Sequence, residues 1–154
     1  MMRALLVLSI LVACGGTTKG TTPGLSKDDA VFEAVFLHEI GAASVSADET
    51  ICLALRGSTN DGSDLLAAIR ARHPTAVLNA ECSGGGPSGP VLNAAGGKAV
   101  RFDIGPITWV DDNTATIDGG GGHRGGATVS ERRYTVVKDG GGWKVAGEKP
   151  GMTI

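Results

Sequence analysis

Apolar residues recur with a helical period in two segments of the first half of the chain. Over residues 27–40 they cover one broad arc at about 100° per residue, preceded by Ser26, a favourable N-cap, and followed by Gly41, a common helix stop. A narrower apolar stripe over residues 64–72 follows Ser63, a second candidate N-cap. The pattern therefore predicts two amphipathic helices.

Short apolar runs and an alternating pattern predict strands. The runs at residues 50–55 and 76–80 are bounded by polar clusters, which is typical of short buried strands. From residue 98 onward, apolar and polar positions alternate and indicate four strands. The inward-facing positions of this alternation are Val100, Phe102, Ile104, Ile107, Trp109, Ala115, Ile117, Tyr134, Val136, Trp143 and Val145. Two helices before such a meander predict an α+β domain, with the helices packed on a mainly antiparallel sheet.

The chain begins with ten mostly apolar residues, 4–13, between Arg3 and Cys14. A membrane-spanning helix needs about 20 apolar residues, so this segment has the size of a signal-peptide hydrophobic region. Its end, Leu11-Val12-Ala13-Cys14, resembles the bacterial lipobox. The resemblance implies that the Cys14 thiol receives a diacylglyceryl group, that the chain is cut before it and that the new amino terminus is acylated. The alternatives are an ordinary secretory signal or a buried helix of a cytosolic domain.

This resemblance divides the chain into a signal peptide at 1–13, a lipidated flexible tether at 14–25 and a single domain at 26–154. The tether residues after the cysteine are small and polar, and such a segment spans on average about 20 Å. Two or more acyl chains give stable attachment to a membrane. By analogy with bacterial sorting, Gly15 in place of an aspartate implies the outer membrane, with the domain facing the periplasm or the cell surface.

The charge of the chain argues against a nucleic-acid partner. Cleavage before Cys14 would leave 141 residues, with 13 basic and 16 acidic side chains. A nucleic-acid-binding domain usually carries a basic stripe and has a high isoelectric point, and this sequence has neither. Aromatic residues make up only 4% of the chain. One domain with a core built largely from Val, Leu, Ile and Ala is therefore expected.

Two cysteines remain once Cys14 is assigned to the lipid. In an oxidising compartment Cys52 and Cys82 are candidates for a disulfide bridge. The bridge would close a loop of about 31 residues and stabilise the fold by roughly 3.5 to 4 kcal/mol on the chain-entropy model. Two buried free thiols are the alternative, since spacing along the chain does not fix the distance between their Cα atoms.

The C-terminal segments IGPITWVDDNTATIDG and RRYTVVKDGGGWKVAG are similar to the ends of many uncharacterised bacterial lipoproteins and exported proteins. They resemble more loosely the curved sheets of nuclear-transport-factor-2-like domains. Trp109, Tyr134 and the Trp-Lys-Val at 143–145 carry this resemblance, which covers about 50 residues and brings no catalytic set with it. The larger family also has a third helix, for which this sequence gives no signal.

Glu39 lies within the apolar arc of the first predicted helix, where a carboxylate is unexpected. It follows His38, but the zinc motif H-E-x-x-H fails because residue 42 is alanine. One hypothesis makes Glu39 a general acid or base, or an orienting carboxylate, in a pocket lined by Tyr134 or Trp109. The alternatives are a salt bridge at the rim, or exposure at an overhanging helix end. The candidate arginines for that salt bridge are Arg101, Arg132 and Arg133.

The run GGGGHRGG at residues 119–126 has the composition of an anion-binding loop. Successive glycine amides form a concavity for an anion, and Arg124 beside His123 offers a planar fork for a carboxylate or phosphate. The Gly-Lys-Ser/Thr of a P-loop is missing, however, and a mobile hairpin loop is the favoured interpretation. The acidic clusters at 59–64 and 111–118 lack the ligand spacing of a calcium loop.

These observations favour a non-enzymatic, lipid-anchored envelope protein whose domain binds another protein, a glycan or a small ligand. Apart from the membrane, no partner is identified, and the sequence indicates no cofactor and no metal. The alternative is a hydrolytic or isomerising enzyme that uses Glu39 and His38. A closed apolar pocket of at least about 300 Å³ with Glu39 directed into it would favour the enzyme.

Overall fold

The computed structural model describes residues 22–58, 61–86, 89–126 and 131–151. Cys14, the predicted signal peptide and most of the predicted tether lie outside these ranges. Neither helix of the described chain combines the length and the apolar character that crossing a bilayer requires. The elements are α1 (Lys27–Ala42), β1 (Thr50–Leu55), α2 (Ser63–Arg70), β2 (Ala76–Leu78), a 3-10 turn (Asn79–Glu81), β3 (Cys82–Gly84), β4 (Val91–Asn93), β5 (Ala99–Asp111), β6 (Thr114–His123), β7 (Glu131–Asp139) and β8 (Gly142–Pro150).

Six strands form one mixed sheet in the order β2-β1-β5-β6-β7-β8. Strand β1 runs parallel to both β2 and β5, whereas β5 to β8 form an antiparallel meander. Strands β3 and β4 make a separate two-stranded hairpin. The predicted α+β class, with two helices and a C-terminal meander of four strands, is therefore confirmed.

The main core lies between helices α1 and α2 and one face of the six-stranded sheet. Its largest fully buried apolar side chains are Tyr134, Phe36, Phe102, Ile51, Leu53, Leu65, Ile69, Ile104 and Ile117. Phe102 and Ile104 alternate with Arg101 and Asp103 along β5, which places the two charged residues on the opposite face. On that face the hairpin β3-β4 covers a smaller cluster around Cys52, Val91 and Ala99.

A disulfide joins the small hairpin to the sheet. Cys52 in β1 is bonded to Cys82 at the start of β3, with 6.3 Å between their Cα atoms. This confirms the predicted pairing and excludes the alternative of two free thiols. Strands β1 and β3 belong to different sheets, so the bond connects two segments that strand pairing does not join.

Both helices differ from prediction at their ends. Ser26 caps α1 as predicted, accepting a bond from the backbone N–H of Asp29, but the helix continues through Gly41 to Ala42. Helix α2 includes Ser63 as its first residue, so the predicted serine cap is wrong: Gly62 in a left-handed conformation precedes it. The Ser63 hydroxyl instead donates to the side chain of Asp61. The local sequence therefore predicted the presence of both helices correctly, but not the residues at which they begin and end.

The glycine run is part of a strand. Residues 119–123 belong to β6, and Gly119 and Gly120 pair with Arg132 and Glu131 of β7. The prediction of a mobile loop is therefore wrong for these residues. Backbone pairing with β5 on one side and β7 on the other holds these glycines in an extended conformation, which glycine alone does not favour.

The chain before α1 is held against the helix. The backbone N–H and the hydroxyl of Thr22 donate to the two carboxylate oxygens of Glu33 at 2.7 and 2.6 Å. Glu33 is fully buried, and Leu25 packs against the core. Residues 22–25 of the predicted tether are therefore held against the domain.

Candidate functional site

Glu39 is enclosed between α1 and the glycines of β6. Its exposed fraction is 3%, so the alternative of an overhanging, exposed carboxylate is wrong. A Cβ atom at Gly121 would lie 3.0 Å from Glu39 Oε2, so the missing side chain leaves room for the carboxyl group. Glu39 Oε1 has no hydrogen-bond partner among the described residues. Burial raises the pKa of Glu39, although the nearby charges of Arg132 and His38 oppose that rise.

His38 points away from the buried carboxyl and towards the surface. Its Nε2 lies 3.3 Å from Glu148 Oε2, and Arg132 Nη1 lies 3.2 Å from the other carboxylate oxygen. Bonding from His38 lowers the pKa of Glu148, and the charge of Arg132 adds to that effect. Arg132, one of the predicted partners of Glu39, thus affects it only through its charge and binds Glu148 instead. His38 and Glu39 are neighbours in sequence but belong to two different environments.

Tyr134 lies next to this cluster, and Trp109 does not. The Tyr134 ring is fully buried with its centroid 5.9 Å from that of His38, and its hydroxyl has no partner within the described residues. Trp109 packs edge-on against Trp143. The ammonium nitrogen of Lys27 lies 3.8 Å from the centroid of the Trp109 ring. Of the two aromatic residues proposed as alternatives for lining a pocket around Glu39, Tyr134 therefore lies near this cluster and Trp109 lies elsewhere.

Arg124 and His123 each have an acidic partner. Arg124 Nη2 donates to Glu49 Oε2 at 2.8 Å, and its Nε donates to the other oxygen. This bidentate pairing lowers the pKa of Glu49 to about 2. His123 Nε2 lies 3.2 Å from Asp103 Oδ2. Arg124 is therefore engaged by a carboxylate of the chain itself rather than presented to a ligand.

The larger cleft described in the fold lies where α1 and α2 end. It has a volume of about 590 Å³ and is lined by Ile40, Gly41, Ser44, Val45, Ser46, Ala47, Ile51, Arg72, His73, Pro74 and Thr75. A smaller cleft of about 250 Å³ lies beside Trp109, Asp28 and Phe32. Glu39 and Tyr134 line neither of the two. The residues best placed to meet a ligand are therefore mostly ones that the sequence did not single out.

Sequence patterns missed these residues for a physical reason. The cleft forms from two helix ends and the loops after them, which have no apolar period. Glu49 lies in one such loop, and its partner Arg124 follows 75 residues later. Asp103 was visible only as a polar position in an alternating strand. Its contact with His123 depends on the pairing of β5 with β6, which the local sequence does not specify.

Metal binding has no support in the side-chain geometry. Within the described ranges, no group of three or more His, Cys, Asp and Glu side chains is arranged to hold an ion.

Comparison with known proteins gives no further assignment. No family model, characterised protein or solved structure matches this chain.

Proposed function

We propose that this chain is a lipid-anchored protein of the bacterial cell envelope whose domain binds a small ligand without transforming it. The lipobox-like end of the N-terminal apolar segment, at Cys14, supports the anchor. The cleft between the ends of α1 and α2 supports the binding role. Its volume of about 590 Å³ is the single observation that carries this proposal, since ligand sites typically measure about 300 to 1,000 Å³.

The lining of the cleft indicates the kind of ligand. Ile40 and Ile51 give it an apolar floor that is continuous with the core. Arg72 and His73 at the end of α2 provide basic groups, and three hydroxyl side chains complete the polar part. An apolar body with an acidic group matches this combination, because the body is desolvated against the floor while the acid meets basic residues.

The cleft is tested by filling it. The probe is 1-anilinonaphthalene-8-sulfonate, which has an apolar body and an acidic group and fluoresces when bound. Gly41 lines the cleft and has open space where a side chain would begin, so Gly41→Phe would occupy it. Gly147 in β8 has equally open space away from the cleft, and Gly147→Phe is the matched control. We expect Gly41→Phe to weaken probe binding by about tenfold or more, and the control by less than about twofold. Equal binding by both variants would refute the site.

The anchor is tested separately, by cell fractionation. Cys14→Ala removes the proposed acceptor of the lipid and should release the protein from membranes, because the short apolar segment does not hold it there alone. Membrane retention unchanged from the parent chain would exclude lipidation at Cys14 and leave the cleft proposal intact.

An enzyme that uses Glu39 and His38 is the second candidate. The raised pKa of the buried Glu39 carboxyl favours it, since general acids are tuned in this way. Against it, His38 is turned towards Glu148, and neither described cleft is lined by Glu39. If Gly41→Phe abolishes probe binding and Glu39→Gln leaves probe binding unchanged, the binding role remains the better account.

A further inference from the structure

One wall of the cleft between the ends of α1 and α2, the helix-end cleft, is the loop at residues 43–49. Ser44, Val45, Ser46 and Ala47 of this loop line the cleft. Val45 packs against the core, whereas Ser44, Ser46 and Ala47 are exposed. Ser44 also has a φ of +49°, in the left-handed region that residues other than glycine seldom adopt. Such a conformation persists only where surrounding contacts hold it.

Glu49 holds the outer half of the loop. Its Oε2 accepts from the backbone N–H of Ser46 at 2.9 Å, and its own backbone N–H donates to the Ser46 carbonyl oxygen at 3.1 Å. These two bonds close residues 46–49 into a turn whose first residue lines the cleft. Glu49 is only 6% exposed, so its buried carboxylate requires a cationic partner.

Arg124 is that partner, and its own backbone is fixed. It donates from Nε and Nη2 to the two carboxylate oxygens of Glu49, which sets the orientation of one planar group against the other. The backbone N–H of Val91 in β4 donates to the Arg124 carbonyl oxygen at 2.9 Å. Gly125 bridges to Pro90, and a Cβ atom at Gly125 would lie 2.1 Å from a backbone oxygen of the residue before Pro90. The chain at Arg124 therefore lies directly against the small hairpin, which the disulfide joins to β1.

We propose that Glu49 and Arg124 are positioning residues of the helix-end cleft. Their ion pair fixes loop 43–49 to the end of β6, and through the backbone of Arg124 to the small hairpin, so that Ser46 and Ala47 stand where a ligand meets them. The proposal rests on the binding role proposed for this cleft. Neither Glu49 nor Arg124 is among the residues that line the cleft, so both act on a ligand through the loop.

The first test is the exchange of backbone amides in the full chain without a ligand. Arg124→Gln frees the Glu49 carboxylate, and the amide of Ser46 should exchange about tenfold faster or more, the effect of one lost charge-assisted hydrogen bond. Asp118→Asn breaks the same bidentate arrangement in an exposed pair, and Val136→Ala weakens the core at β7. Neither control should change this exchange by more than about twofold, because local opening of the loop is unaffected. Unchanged exchange in Arg124→Gln, or an equal rise in Val136→Ala, would overturn the positioning role.

Binding of 1-anilinonaphthalene-8-sulfonate gives the second readout. Glu49→Gln and Arg124→Gln should each weaken probe binding by about fivefold or more, a typical coupling between two sites. Asp118→Asn and Val136→Ala should change it by less than about twofold, since neither residue contacts the pair or lines the cleft. Because the two positioning residues act together, the double variant should lose no more affinity than either single variant. Losses that add in the double variant would contradict a joint role.

The two readouts also distinguish this proposal from the proposed function. If the parent chain does not bind the probe, or if Gly41→Phe binds it equally well, the binding role fails, while amide exchange still decides whether the pair holds the loop. If Gly41→Phe loses probe binding but Glu49→Gln and Arg124→Gln keep it, the positioning role alone fails.

Discussion

At the scale of single residues, Glu39 and Glu49 show how contacts give one chemical group opposite properties. Glu39 Oε1 is buried without a described partner, and burial raises the pKa of this carboxyl. Glu49 is also buried, but Arg124 and the backbone N–H of Ser46 donate to it and lower its pKa to about 2. The two carboxyls should therefore affect stability in opposite directions as the pH changes.

Glu49→Gln should lower the free energy of unfolding by about 1–3 kcal/mol at neutral pH, since it removes charge-assisted hydrogen bonds to Arg124. The contribution of a carboxyl with a lowered pKa is present above its ordinary value of 4.5 and is lost as the pH falls towards about 2. Denaturant unfolding across this range should show the wild type and the variant converging in acid.

Asp118→Asn is the control for that measurement. Asp118 forms the same bidentate arrangement with Arg133, but both side chains are more than 40% exposed. Exposed pairs contribute about 1 kcal/mol or less, so this variant should have a smaller effect. If the two variants lose equal stability, burial does not strengthen the Glu49 pair.

Glu39→Gln should stabilise the protein at neutral pH, because it replaces a buried charge with a neutral group of the same shape. A carboxyl whose pKa is raised favours the folded state fully below its ordinary value of 4.5, and that contribution is lost as the pH rises through the raised value. The advantage of the variant in thermal unfolding should therefore shrink in acid. A variant that is less stable at neutral pH would mean that the ionised Glu39 has a bonding partner.

At the scale of elements, prediction succeeded where structure depends on near neighbours in sequence. Helix α1 and the alternating strands of the meander follow from local period, and Ser26 caps its helix as expected. The run at 119–122 was misjudged because its order comes from β5 and β7. Helix α1 continues past Gly41 because glycine after a helix is a statistical preference and does not force the helix to end. The contact between Asp103 and His123 could not be predicted for the same reason as the glycine strand, since the register of β5 and β6 is set by the whole sheet.

Gly122 tests whether the glycine strand is required by packing. A Cβ atom there would lie 2.7 Å from Phe102 Cε1 and 2.8 Å from Val100 Cγ2, both in the core. Gly122→Ala should therefore destabilise the domain by about 1–3 kcal/mol through overpacking. Gly41→Ala is the matched change in open space within a helix, and should instead stabilise it by about 0.5–1 kcal/mol. Denaturant unfolding of both variants compares them, and equal effects would contradict the packing argument.

At the scale of the whole molecule, the sheet is protected at both edges. The outer strand β2 has only three residues, and β8 carries Lys144, Lys149 and Pro150. Short strands, lysines and proline all discourage pairing with another chain. A ligand is therefore better accommodated at the helix ends than along the sheet edges.

The disulfide should contribute strongly to overall stability. Replacing both Cys52 and Cys82 by Ala should lower the free energy of unfolding by roughly 3.5 to 4 kcal/mol on the chain-entropy model for a loop of this length. Cys14→Ala is the control and should leave the unfolding of the domain unchanged. The mass of the protein under reducing and non-reducing conditions reports the bond directly. Free Cys52 and Cys82 thiols in the oxidised protein would contradict the pairing.

If the chain is anchored to a membrane through Cys14, the bonds from Thr22 to Glu33 would limit how far the domain can move from it. If Cys14 carries the lipid, eight peptide units separate the anchor from Thr22, and even when fully extended they reach only about 26–29 Å. A tether free to residue 25 would reach about 36–40 Å. The domain would therefore pivot close to the headgroups on a short radius, and ligands would have to diffuse to the bilayer surface to meet it.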